Sequence, residues 1–496
     1  MSAGKRTKRF LEILPGSISW GIIIFLVVMT VWRPVIAAVI IIIFDFYWII
    51  RTVYLTTLLV LAHRRLSRER SKDWLAACRS LPKRKWEDLY HLVIFPVYKE
   101  GLDILRPSLE ALKTCHYPKS RIIVVMAFER RHAPAGEYAK ILEAEFGGTF
   151  GAYLTTFHPD QLPGEKRLKG ANATWAARKA KDLLEQKKIP LAEVIVSCFD
   201  ADTCIDREYF GCLAYHFLTN PKPHQASYQP VPVYNNNIWQ APSLARIIEI
   251  SASFCQMIES LRLEKFVTFS SHSMSFKTLV DIDYWPVDMI SDDSVVYWKA
   301  FLYYKGDYRV IPLYTTVSMD VAYGKNLFKT LEVQYKQKRR WAWGVENFPF
   351  VVSRLLRDHE IPLVLKIRRS FHLLESHVTW ALWAIIMGVM PSLPLLVGGV
   401  FFAQTPISQN LPRVIGVLLN FTLGTSIVWI LLSRAILPPR PKEVHWITNI
   451  VMVVEWLFVP FLILILGSTP ALDAQTRLML AKYMEFSATE KRRTVV

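Results

Sequence analysis

Between residues 193 and 202 the sequence reads Glu193-Val194-Ile195-Val196-Ser197-Cys198-Phe199-Asp200-Ala201-Asp202. The apolar run predicts a buried β-strand, and two aspartates follow at its end. Because residues two apart in an extended chain point to the same side, Asp200 and Asp202 can together hold a divalent cation whose open positions bind phosphate oxygens. The alternative for these residues is a polar turn after a buried strand, where aspartate is common.

Upstream of this run, apolar strand-like segments alternate with segments that have a helical pattern. Strands are predicted at residues 91–96, 121–126 and 153–157, and helices at 102–114, 136–146 and 171–186. This alternation predicts a parallel sheet with helices on both faces, and ligands of such sheets bind at the carboxyl ends of the strands. Neither a glycine-rich dinucleotide fingerprint nor a P-loop follows any of these strands.

A second acidic pair occurs in Ser291-Asp292-Asp293-Ser294. As N-terminal residues of a helix, Asp292 and Asp293 would complement the helix dipole and need no chemistry. Alternatively, one of the two carboxylates is a general base that takes a proton from an acceptor hydroxyl. The two interpretations are compatible, because a base at the start of a helix is still a helix cap.

Further along, Gln337-Lys338-Arg339-Arg340-Trp341 has the spacing Q-x-x-R-W. On a helix, Gln337, Arg340 and Trp341 share one face, which offers an amide, a cation and a flat apolar ring. Such a set suits a diphosphate group and a sugar ring that stacks on the indole. The plainer alternative is a basic and aromatic interfacial helix that only anchors the protein at a membrane.

The composition excludes several classes of site. The chain has 496 residues, 13% of them aromatic, and a formal net charge of +18, which suits a protein lying against anionic lipid. A nucleic-acid-binding protein would show a basic face with a known fold signature, and the sequence has none. The six cysteines lack C-x-x-C pairing and His132, His158, His216 and His272 lack ligand spacing, so we expect neither disulfides nor a cysteine or histidine metal site.

Two apolar regions flank the polar middle and predict membrane helices. The first, residues 17–61, reads as a helical hairpin that turns at Arg33-Pro34, and the second contains spans at 378–402, 414–432 and 446–466. From the N-terminus, the sequence predicts a basic tail at 1–16, a transmembrane hairpin at 17–62, a basic linker at 63–90, an α/β domain at 91–350, an interfacial amphipathic segment at 351–376, transmembrane helices at 377–468 and a C-terminal tail at 469–496. Basic residues flank the hairpin on both sides, so we expect a multi-pass protein of the inner or plasma membrane whose α/β domain is cytoplasmic.

The last predicted span leaves two alternatives for the C-terminus. Five full crossings would put Lys491, Arg492 and Arg493 outside, against the preference of basic residues for the inside. Either the last segment is re-entrant, since Glu455 and Pro460 interrupt it, or the basic tail is external.

With these motifs in view, the chain resembles the membrane-embedded family-2 glycosyltransferases, the group that contains cellulose synthase, hyaluronan synthase and ceramide glucosyltransferase. The resemblance covers about residues 92–350 and the flanking apolar helices. It implies a GT-A fold, which is a Rossmann-like α/β domain, flanked here by transmembrane helices. It also implies an inverting transfer from a nucleotide-diphosphate sugar with the help of Mg²⁺ or Mn²⁺.

The resemblance implies metal and catalytic roles for the two acidic pairs. Asp200 and Asp202 match the metal-binding D-x-D of the family. Asp293 matches the last residue of its T-E-D motif, the catalytic base. The middle position of that motif holds a shortened acidic residue, Asp292, and its role is open.

Donor and acceptor contacts are implied for two further groups of residues. The family's Q-x-x-R-W, which contacts the acceptor and the diphosphate, is matched by Gln337, Arg340 and Trp341. Nucleotide-sugar binding is implied for Pro96, Tyr98 and Glu100 of the first nucleotide-binding loop, for Glu129 near the end of the second strand, where the family has a base-binding aspartate, and for Lys169, which belongs to an element resembling the family's Lys and Asn motif.

Together these features predict that the chain moves a sugar from a nucleotide-diphosphate sugar to a growing polysaccharide or to a lipid-linked acceptor. In the first version the membrane helices form a channel for the polymer, and in the second they position a lipid for one transfer. Membrane lipids are the expected surroundings, and nucleic acid is not an expected partner. A further hypothesis is a membrane scaffold or export component with an inactive transferase domain, against which the intact D-x-D and Q-x-x-R-W argue.

Overall fold

The computed structural model describes residues 3–82, 85–485 and 493. Parts of the predicted basic linker and of the predicted C-terminal tail, including Lys491 and Arg492, lie outside the described residues. Internal contacts divide the chain into two compact units. The first, which we call the helical unit, comprises Met1–Leu61, Pro242–Ser251 and Tyr323–Glu485, and the second, the sheet unit, comprises Ala62–Ala241, Ala252–Ala322 and Phe486–Val496.

The sheet unit is built around a mixed sheet. Its strands are β1 (Tyr90–Val97), β2 (Ile122–Glu129), β3 (Ala152–His158), β4 (Val194–Cys198), β5 (Cys204–Ile205), β6 (Ala226–Tyr234), β7 (Ser273–Ser275) and β8 (Arg309–Met319). They form an eight-stranded sheet in the order β3-β2-β1-β4-β7-β6-β8-β5. Strands β1 to β4 are parallel neighbours, β7 runs antiparallel to β4 and β6, and β6 is parallel to β8.

The predicted parallel sheet is confirmed for β1 to β4, and the other strands make the sheet mixed. Every residue of β2 and β4 is buried, and strands buried on both faces read as continuous apolar runs. Strands β6 and β7 are equally buried but carry serine, glutamine and proline, so they lack the apolar signature. Their polar groups bond inside the sheet, as where the Ser197 and Ser273 hydroxyls lie 2.6 Å apart.

The helices belong to both units. In chain order they are α1 (Ala3–Trp32), α2 (Pro34–Arg70), α3 (Trp74–Arg79), α4 (Leu102–Thr114), α5 (Ala135–Phe146), α6 (Lys169–Gln186), α7 (Tyr209–Thr219), α8 (Ser243–Glu259), α9 (Phe276–Asp281), α10 (Asp292–Tyr303), α11 (Leu327–Ala342), α12 (Asn347–Leu355), α13 (Leu363–Gly388), α14 (Leu393–Val397), α15 (Gly399–Ala403), α16 (Pro406–Ile436), α17 (Ile447–Val454), α18 (Val459–Ile463) and α19 (Thr469–Met479). The three helices predicted in the α/β region correspond to α4, α5 and α6.

Helices α4 and α6 show how the local sequence sets these elements. In α4, the apolar side chains of Leu105, Leu109 and Leu112 recur at helical spacing and are buried in the core against the sheet. Helix α6 begins at Lys169, two residues before the predicted start. Lys169 is therefore the first residue of a helix that packs on β1, β2 and β3.

In the described chain, three helical stretches are long and apolar enough to cross a membrane: Gly4–Trp32, Pro34–Arg70 and Ile447–Met479. The predicted turn position coincides with a break between two helices, since α1 ends at Trp32 and α2 begins at Pro34, and the hairpin itself stays a prediction. Lys8 and Arg9 pair with Glu12 one helical turn away, at 4.0 and 2.9 Å, which explains why α1 extends through most of the predicted basic tail.

The C-terminal apolar region is more broken than predicted. Helix α13 covers both the end of the predicted interfacial segment and the start of the predicted membrane region. Leu363–Gly388 and Met390–Val397 are bent by 41° and would make a fourth span if they are one. Around the predicted span at 414–432, the shorter stretch Leu423–Ile436 is apolar. The apolar helices associate the protein with a membrane.

Contacts within the helical unit bring the end of α19 beside the start of α1. The Arg9 guanidinium donates to the Leu478 carbonyl at 2.9 Å, and the Tyr483 hydroxyl donates to the Glu12 carboxylate at 2.9 Å. The last apolar stretch therefore ends near the N-terminus of α1.

Candidate active site

A buried lysine brings the two acidic pairs of the sheet unit together. The Lys169 ammonium lies 2.7 Å from Asp200 Oδ1 and donates to both carboxylate oxygens of Asp293, at 3.1 and 3.2 Å. Lys169 opens α6, Asp200 follows β4, and Asp293 lies in the first turn of α10. Three elements that are distant in sequence thus place one cation between two carboxylates at the carboxyl end of the parallel strands.

The opposite charges in this cluster compensate one another. Burial of the Lys169 ammonium lowers its pKa, but the charges of Asp200 and Asp293 outweigh burial and raise the pKa well above its ordinary value. The close approach requires glycine at the next position, because a Cβ on Gly170 would lie 2.4 Å from the Pro286 carbonyl oxygen and 3.0 Å from Asp292 Cβ.

Asp200 is the accessible member of the D-x-D pair. Its side chain is 25% exposed, and its second oxygen, Oδ2, accepts a hydrogen bond of 2.5 Å from the Ser270 hydroxyl. The loop that carries Ser270 is itself held by Gln229, whose amide donates to the Ser270 carbonyl at 3.2 Å and accepts from the Phe269 N–H at 2.8 Å. Gln229, a buried residue of β6, therefore fixes the loop of Ser270, and the Ser270 hydroxyl in turn orients Asp200.

Asp202 lies on the inner side of the same turn. It is fully buried, and its Oδ2 accepts a hydrogen bond of 2.8 Å from the Asp320 N–H at the end of β8. The Asn236 amide donates to the Asp202 carbonyl at 2.9 Å and to Asp320 Oδ1 at 3.0 Å. The two aspartates of the predicted metal pair thus have different environments, one at the surface of the site and one inside the fold.

The second acidic pair is divided in the same way. Asp293 has a 23% exposed side chain bound to Lys169, and its backbone carbonyl accepts a hydrogen bond of 2.6 Å from the Thr268 hydroxyl. Asp292 is buried, and within the described structure its Oδ2 has no hydrogen-bond partner. Burial and the neighbouring charge of Asp293 raise the pKa of Asp292 to about 8, so this carboxyl carries a proton at neutral pH.

The helix-cap alternative for this pair is only partly supported. Asp292 and Asp293 are the first residues of α10, as predicted, but the cap residue is Ser291, and its side chain makes no capping hydrogen bond. The Asp293 carboxylate is bound by the Lys169 side chain. A carboxylate that served only as a cap would accept from backbone N–H groups of the first turn.

A buried histidine also faces this cluster. His272 Nδ1 lies 3.8 Å from Asp293 Oδ1 and donates to the Phe269 carbonyl at 3.1 Å. Burial lowers the pKa of His272, and the charge of Asp293 opposes that shift. The place of His272 beside Asp293 was not predicted.

The predicted nucleotide-binding residues line the ends of β1 and β2. Glu100 accepts hydrogen bonds from the N–H groups of Tyr98, at 2.9 Å, and Lys99, at 3.1 Å, so its carboxylate shapes the turn after β1. The Arg131 guanidinium lies over the Tyr98 ring, 4.3 Å from its centroid, and also donates to the Glu129 carboxylate. Pro96, near the end of β1, is half-buried.

Beyond Glu129 the structure has a small cavity. It is lined by Glu129, His158 and the segment from Pro159 to Leu168. His158 Nε2 lies 2.9 Å from the Glu165 carboxylate, and Arg167 binds Asp160 through two hydrogen bonds, of 2.9 and 2.7 Å. The cavity therefore has fixed polar walls next to the end of the second parallel strand, where Glu129 was expected to bind the donor.

The Q-x-x-R-W residues belong to the helical unit. The predicted helix is confirmed, since α11 contains Gln337, Arg340 and Trp341. Gln337 is buried, and its side-chain oxygen has no hydrogen-bond partner among the described residues. Arg340 and Trp341 are half-buried. A plain surface anchor would have no reason to bury an amide.

Two buried ion pairs surround this helix and were not predicted. Lys338 Nζ lies 3.0 Å from Glu249 Oε1 and 3.7 Å from the centre of the Trp341 ring. Arg246 and Glu455 pair at 2.5 Å, with both side chains less than a tenth exposed. Buried ion pairs are costly to desolvate, so they indicate a role in specificity or function more readily than in stability.

The sequence matches the family described as "Glycosyl transferase family group 2" over residues 195–466, more than half of the chain. The chain belongs to this family. It is therefore a family-2 glycosyltransferase that transfers sugar from a nucleotide sugar, and its α/β domain has the GT-A fold. The resemblance inferred from the motifs is confirmed at the level of the family. No curated protein matches the chain.

Solved structures similar to this glycosyltransferase are distant in sequence. The mannosyltransferase PcManGT from Pyrobaculum calidifontis, in complex with GDP-Man and Mn²⁺, is 13% identical with a TM-score of 0.43, and the match covers 86% of this chain and 100% of that one. TarS 1–349 from S. aureus is 13% identical with a TM-score of 0.38, covering 70% and 92%. At this distance the likeness carries no argument, and the fold assignment rests on the sheet and the family match.

The carboxylates of this glycosyltransferase offer few protein ligands to a divalent cation. Within the described ranges, no group of three or more His, Cys, Asp or Glu side chains is placed to hold a metal ion. Asp200 nevertheless holds a positive charge, the Lys169 ammonium, at 2.7 Å, and carboxylate oxygens are the ligands that Mg²⁺ and Mn²⁺ prefer. The residues fit a cation that takes most of its ligands from water and a bound diphosphate.

Sequence reasoning missed the residues that hold the two acidic pairs in place. Ser270 and Thr268 bind Asp200 and Asp293, and the backbone of Asp320 binds Asp202. The available signal was the polar run around Ser270-Ser271-His272-Ser273, which is buried although it lacks apolar residues. A buried polar run requires internal partners, and such partners are concentrated at functional sites.

Proposed function

We propose that this glycosyltransferase moves the sugar with inversion, in one displacement, onto an acceptor hydroxyl at the Lys169 cluster. The observation that carries the proposal is the position of Lys169 between Asp200 and Asp293, with ammonium-to-oxygen distances of 2.7 and 3.1 Å. One cation thus links the exposed member of the D-x-D to the exposed member of the second acidic pair. Donor and acceptor chemistry would meet at this point.

Asp293 acts as the general base. Its carboxylate is partly exposed and accepts hydrogen bonds from the Lys169 ammonium, so it is held where it can take a proton from an acceptor hydroxyl. Asp292, with a pKa raised to about 8, is mostly protonated there and is a poorer base. A single base suffices because the hydroxyl attacks the anomeric carbon directly, and the nucleotide diphosphate leaves from the opposite face.

Asp200 and Asp202 are proposed to hold Mg²⁺ or Mn²⁺ when the donor binds. Such an ion would neutralise the negative charge of the diphosphate as the glycosidic bond breaks. Asp200 presents its carboxylate to the site, and Asp202 holds the turn to which Asp200 belongs.

The nucleotide is proposed to bind along the ends of β1 and β2. Tyr98, stacked against Arg131, offers a ring face to the base, while Glu129 and the adjacent cavity contact its edge. Pro96 and Glu100 hold the turn from which Tyr98 projects, the latter through its hydrogen bond to the Tyr98 N–H. TarS 1–349 with UDP-GlcNAc is among the similar structures, consistent with a nucleotide-sugar donor.

Gln337, Arg340 and Trp341 are proposed to bind the acceptor and the diphosphate. The unused side-chain oxygen of Gln337 is suited to a sugar hydroxyl, the Trp341 ring to stacking on a sugar, and the Arg340 guanidinium to the leaving diphosphate. The acceptor itself is a growing polysaccharide or a lipid-linked molecule. The apolar helices are compatible with both, because a membrane bundle can line a polymer channel or position a lipid.

We further propose that the sheet unit is cytoplasmic and that Arg33 is external, in the inner or plasma membrane. Basic residues lie in the first turns of α1 and in the last turns of α2, which is the pattern of a hairpin with both ends inside. A cysteine placed at position 33 should react with an impermeant thiol reagent in intact cells, while one placed at Lys85 should not. The reverse labelling pattern would overturn this topology.

The transferase activity is tested with purified full-length protein and a panel of nucleotide-diphosphate sugars. We expect release of the nucleotide from one class of donor with Mg²⁺ or Mn²⁺ and none with EDTA. Product length then separates the acceptors, since a ladder indicates a polymer and a single lipid-linked sugar indicates one transfer. The absence of turnover with every donor and metal would support the alternative of an inactive scaffold or export component.

A further inference from the structure

A residue close to the C-terminus is bound next to the D-x-D turn. The Arg493 guanidinium donates to Asp320 Oδ1 through Nη2, at 2.7 Å, and through Nε, at 3.0 Å, and Nε also lies 3.1 Å from Asp320 Oδ2. The two residues are separated by 173 positions in sequence. Only 12% of the Arg493 side chain and none of the Asp320 side chain is exposed.

The same guanidinium reaches Asp202. Arg493 Nη2 donates to the Asp202 carbonyl at 3.3 Å, and the Asp320 N–H donates to Asp202 Oδ2 at 2.8 Å. Asn236 completes this arrangement, since its amide donates to the Asp202 carbonyl and to Asp320 Oδ1. Arg493 is therefore connected to the backbone of Asp202 directly and to its carboxylate through Asp320.

Burial makes this arrangement dependent on the arginine. A fully buried carboxylate such as Asp320 is stable only when charged or hydrogen-bonding groups compensate for the lost water. A guanidinium that binds through two nitrogens supplies this charge together with a fixed direction. Although burial lowers the pKa of Arg493, the hydrogen bonds and charge of Asp320 raise it above its usual value, so the guanidinium stays charged.

We infer that Arg493 is a positioning residue for the donor site: by pairing with Asp320 it holds the turn that carries Asp202 and Asp200. This inference rests on the proposed function for its kinetic consequence, but the contact itself belongs to the fold of the sheet unit. Arg493 thus belongs to the sheet unit. The alternative of a basic tail on the far side of the membrane is incompatible with this contact if the sheet unit is cytoplasmic.

The test compares five full-length proteins with the wild type: Arg493→Met, Arg493→Lys, Asp320→Asn, Asp320→Asn combined with Arg493→Met, and Arg492→Met. The last is a matched control that removes the same charge from the neighbouring position. Arg493→Met should raise the KM for the nucleotide sugar about tenfold or more, with kcat within about threefold, because the donor site is displaced while the base is intact. Arg493→Lys should recover part of the affinity, and Arg492→Met should match the wild type.

A second readout does not depend on activity. Arg493→Met should lower the apparent Tm, and it should lower it less in the Asp320→Asn background, because the buried charge that needs Arg493 is then gone. Arg493→Met behaving like Arg492→Met in both KM and Tm would overturn the inference, as would additive effects at positions 320 and 493. If the wild type released no nucleotide, the proposed function would fail, and Tm coupling alone would then support or reject the contact.

Discussion

In both acidic pairs of the sheet unit, one carboxylate is partly exposed and binds Lys169, while the other is buried. Asp200 and Asp293 are the exposed members, with side chains 25% and 23% exposed. The buried members differ. Asp202 accepts a hydrogen bond from the Asp320 N–H, whereas burial and the neighbouring charge of Asp293 raise the pKa of Asp292 to about 8.

This difference separates the tasks of the two pairs. In the first pair, the buried aspartate is bound by other parts of the fold and holds a turn in place. In the second pair, the pKa of the buried aspartate is raised to about 8, and the partly exposed Asp293 is the carboxylate bound to Lys169. Two sequence motifs that look alike, Asp-Ala-Asp and Asp-Asp, thus have different environments, and we propose that the first is a cation site and the second supplies a single base.

The largest effect is expected when Asp293 is changed. Asp293→Asn keeps the shape but cannot accept a proton, and removal of a general base typically costs roughly 10²–10⁴-fold in rate, about 3–5 kcal/mol of barrier. Donor affinity should stay near the wild-type value, because Asp293 is assigned to the acceptor. Asp283→Asn, at a carboxylate 82% exposed, is the control. Turnover of Asp293→Asn within about threefold of the wild type would refute the base assignment and move it to Asp292.

The first pair is tested through donor binding. Asp202→Ala should weaken metal-dependent binding of the nucleotide sugar about 10–100-fold, while the protein still folds and inserts, because the turn that presents Asp200 to the cation loses its internal hydrogen bond. Calorimetric titration with and without EDTA measures this effect, with Asp182→Ala on the exposed face of α6 as the control. If Asp202→Ala and the wild type bound the nucleotide sugar equally well, both with and without EDTA, the assignment of the D-x-D to the cation site would be wrong.

Lys169 joins the two pairs, and its removal should affect both to a smaller degree. Lys169→Gln should lower turnover about tenfold, since the hydrogen bonds that hold Asp200 and Asp293 together involve charged groups. Lys179→Gln, an exposed lysine of the same helix, is the matched control. If Lys169→Gln kept full turnover but unfolded at a lower temperature, Lys169 would contribute to stability only. The ammonium group shared by Asp200 and Asp293 would then have no role in catalysis.

The smallest effect on turnover is expected for Asp292→Asn, within about threefold at pH 7, because the amide resembles the protonated carboxyl that the wild type holds there. Stability should respond to pH instead. The folded-state pKa of Asp292 is raised from 3.8 to about 8, so the folded protein binds a proton that the unfolded chain has lost, and this contribution falls as pH rises through that window. Apparent Tm values at pH 5 and pH 8 should therefore differ less in Asp292→Asn than in the wild type. If the apparent Tm changed equally with pH in Asp292→Asn and in the wild type, Asp292 would be ionised in the folded protein.

The elements that could be predicted are those with strong local signals. Strands β1, β2 and β4 are apolar runs, helix α4 has the predicted bounds, and the first long apolar helix ends at Trp32 because proline begins the next helix. Strands β6 and β7 could not be predicted, since their buried residues are largely polar and gain their burial only from partners elsewhere in the chain. Local pattern carries no information about such partners.

The same distinction holds within the active site. Asp200, Asp202, Asp293 and the Q-x-x-R-W residues were recognisable because their spacing is local. The cation that joins Asp200 to Asp293, the hydroxyl of Ser270 and the guanidinium of Arg493 come from distant parts of the sequence. Their roles depend on distances of about one hydrogen bond, which no spacing along the chain specifies.

The sequence by itself determined the family, the alternation of strands and helices, the apolar helices and the identity of both acidic pairs, because each of these is written in residue types at short spacing. Only the tertiary structure decided which carboxylate of each pair is accessible and that the pKa of Asp292 is raised. The physical reason is that a pKa and an exposed surface are set by desolvation and by neighbouring charges, and both arise when elements far apart in the chain pack together. Asp292 and Asp293 are adjacent in sequence, and folding buries the first while it leaves the second partly exposed beside Lys169.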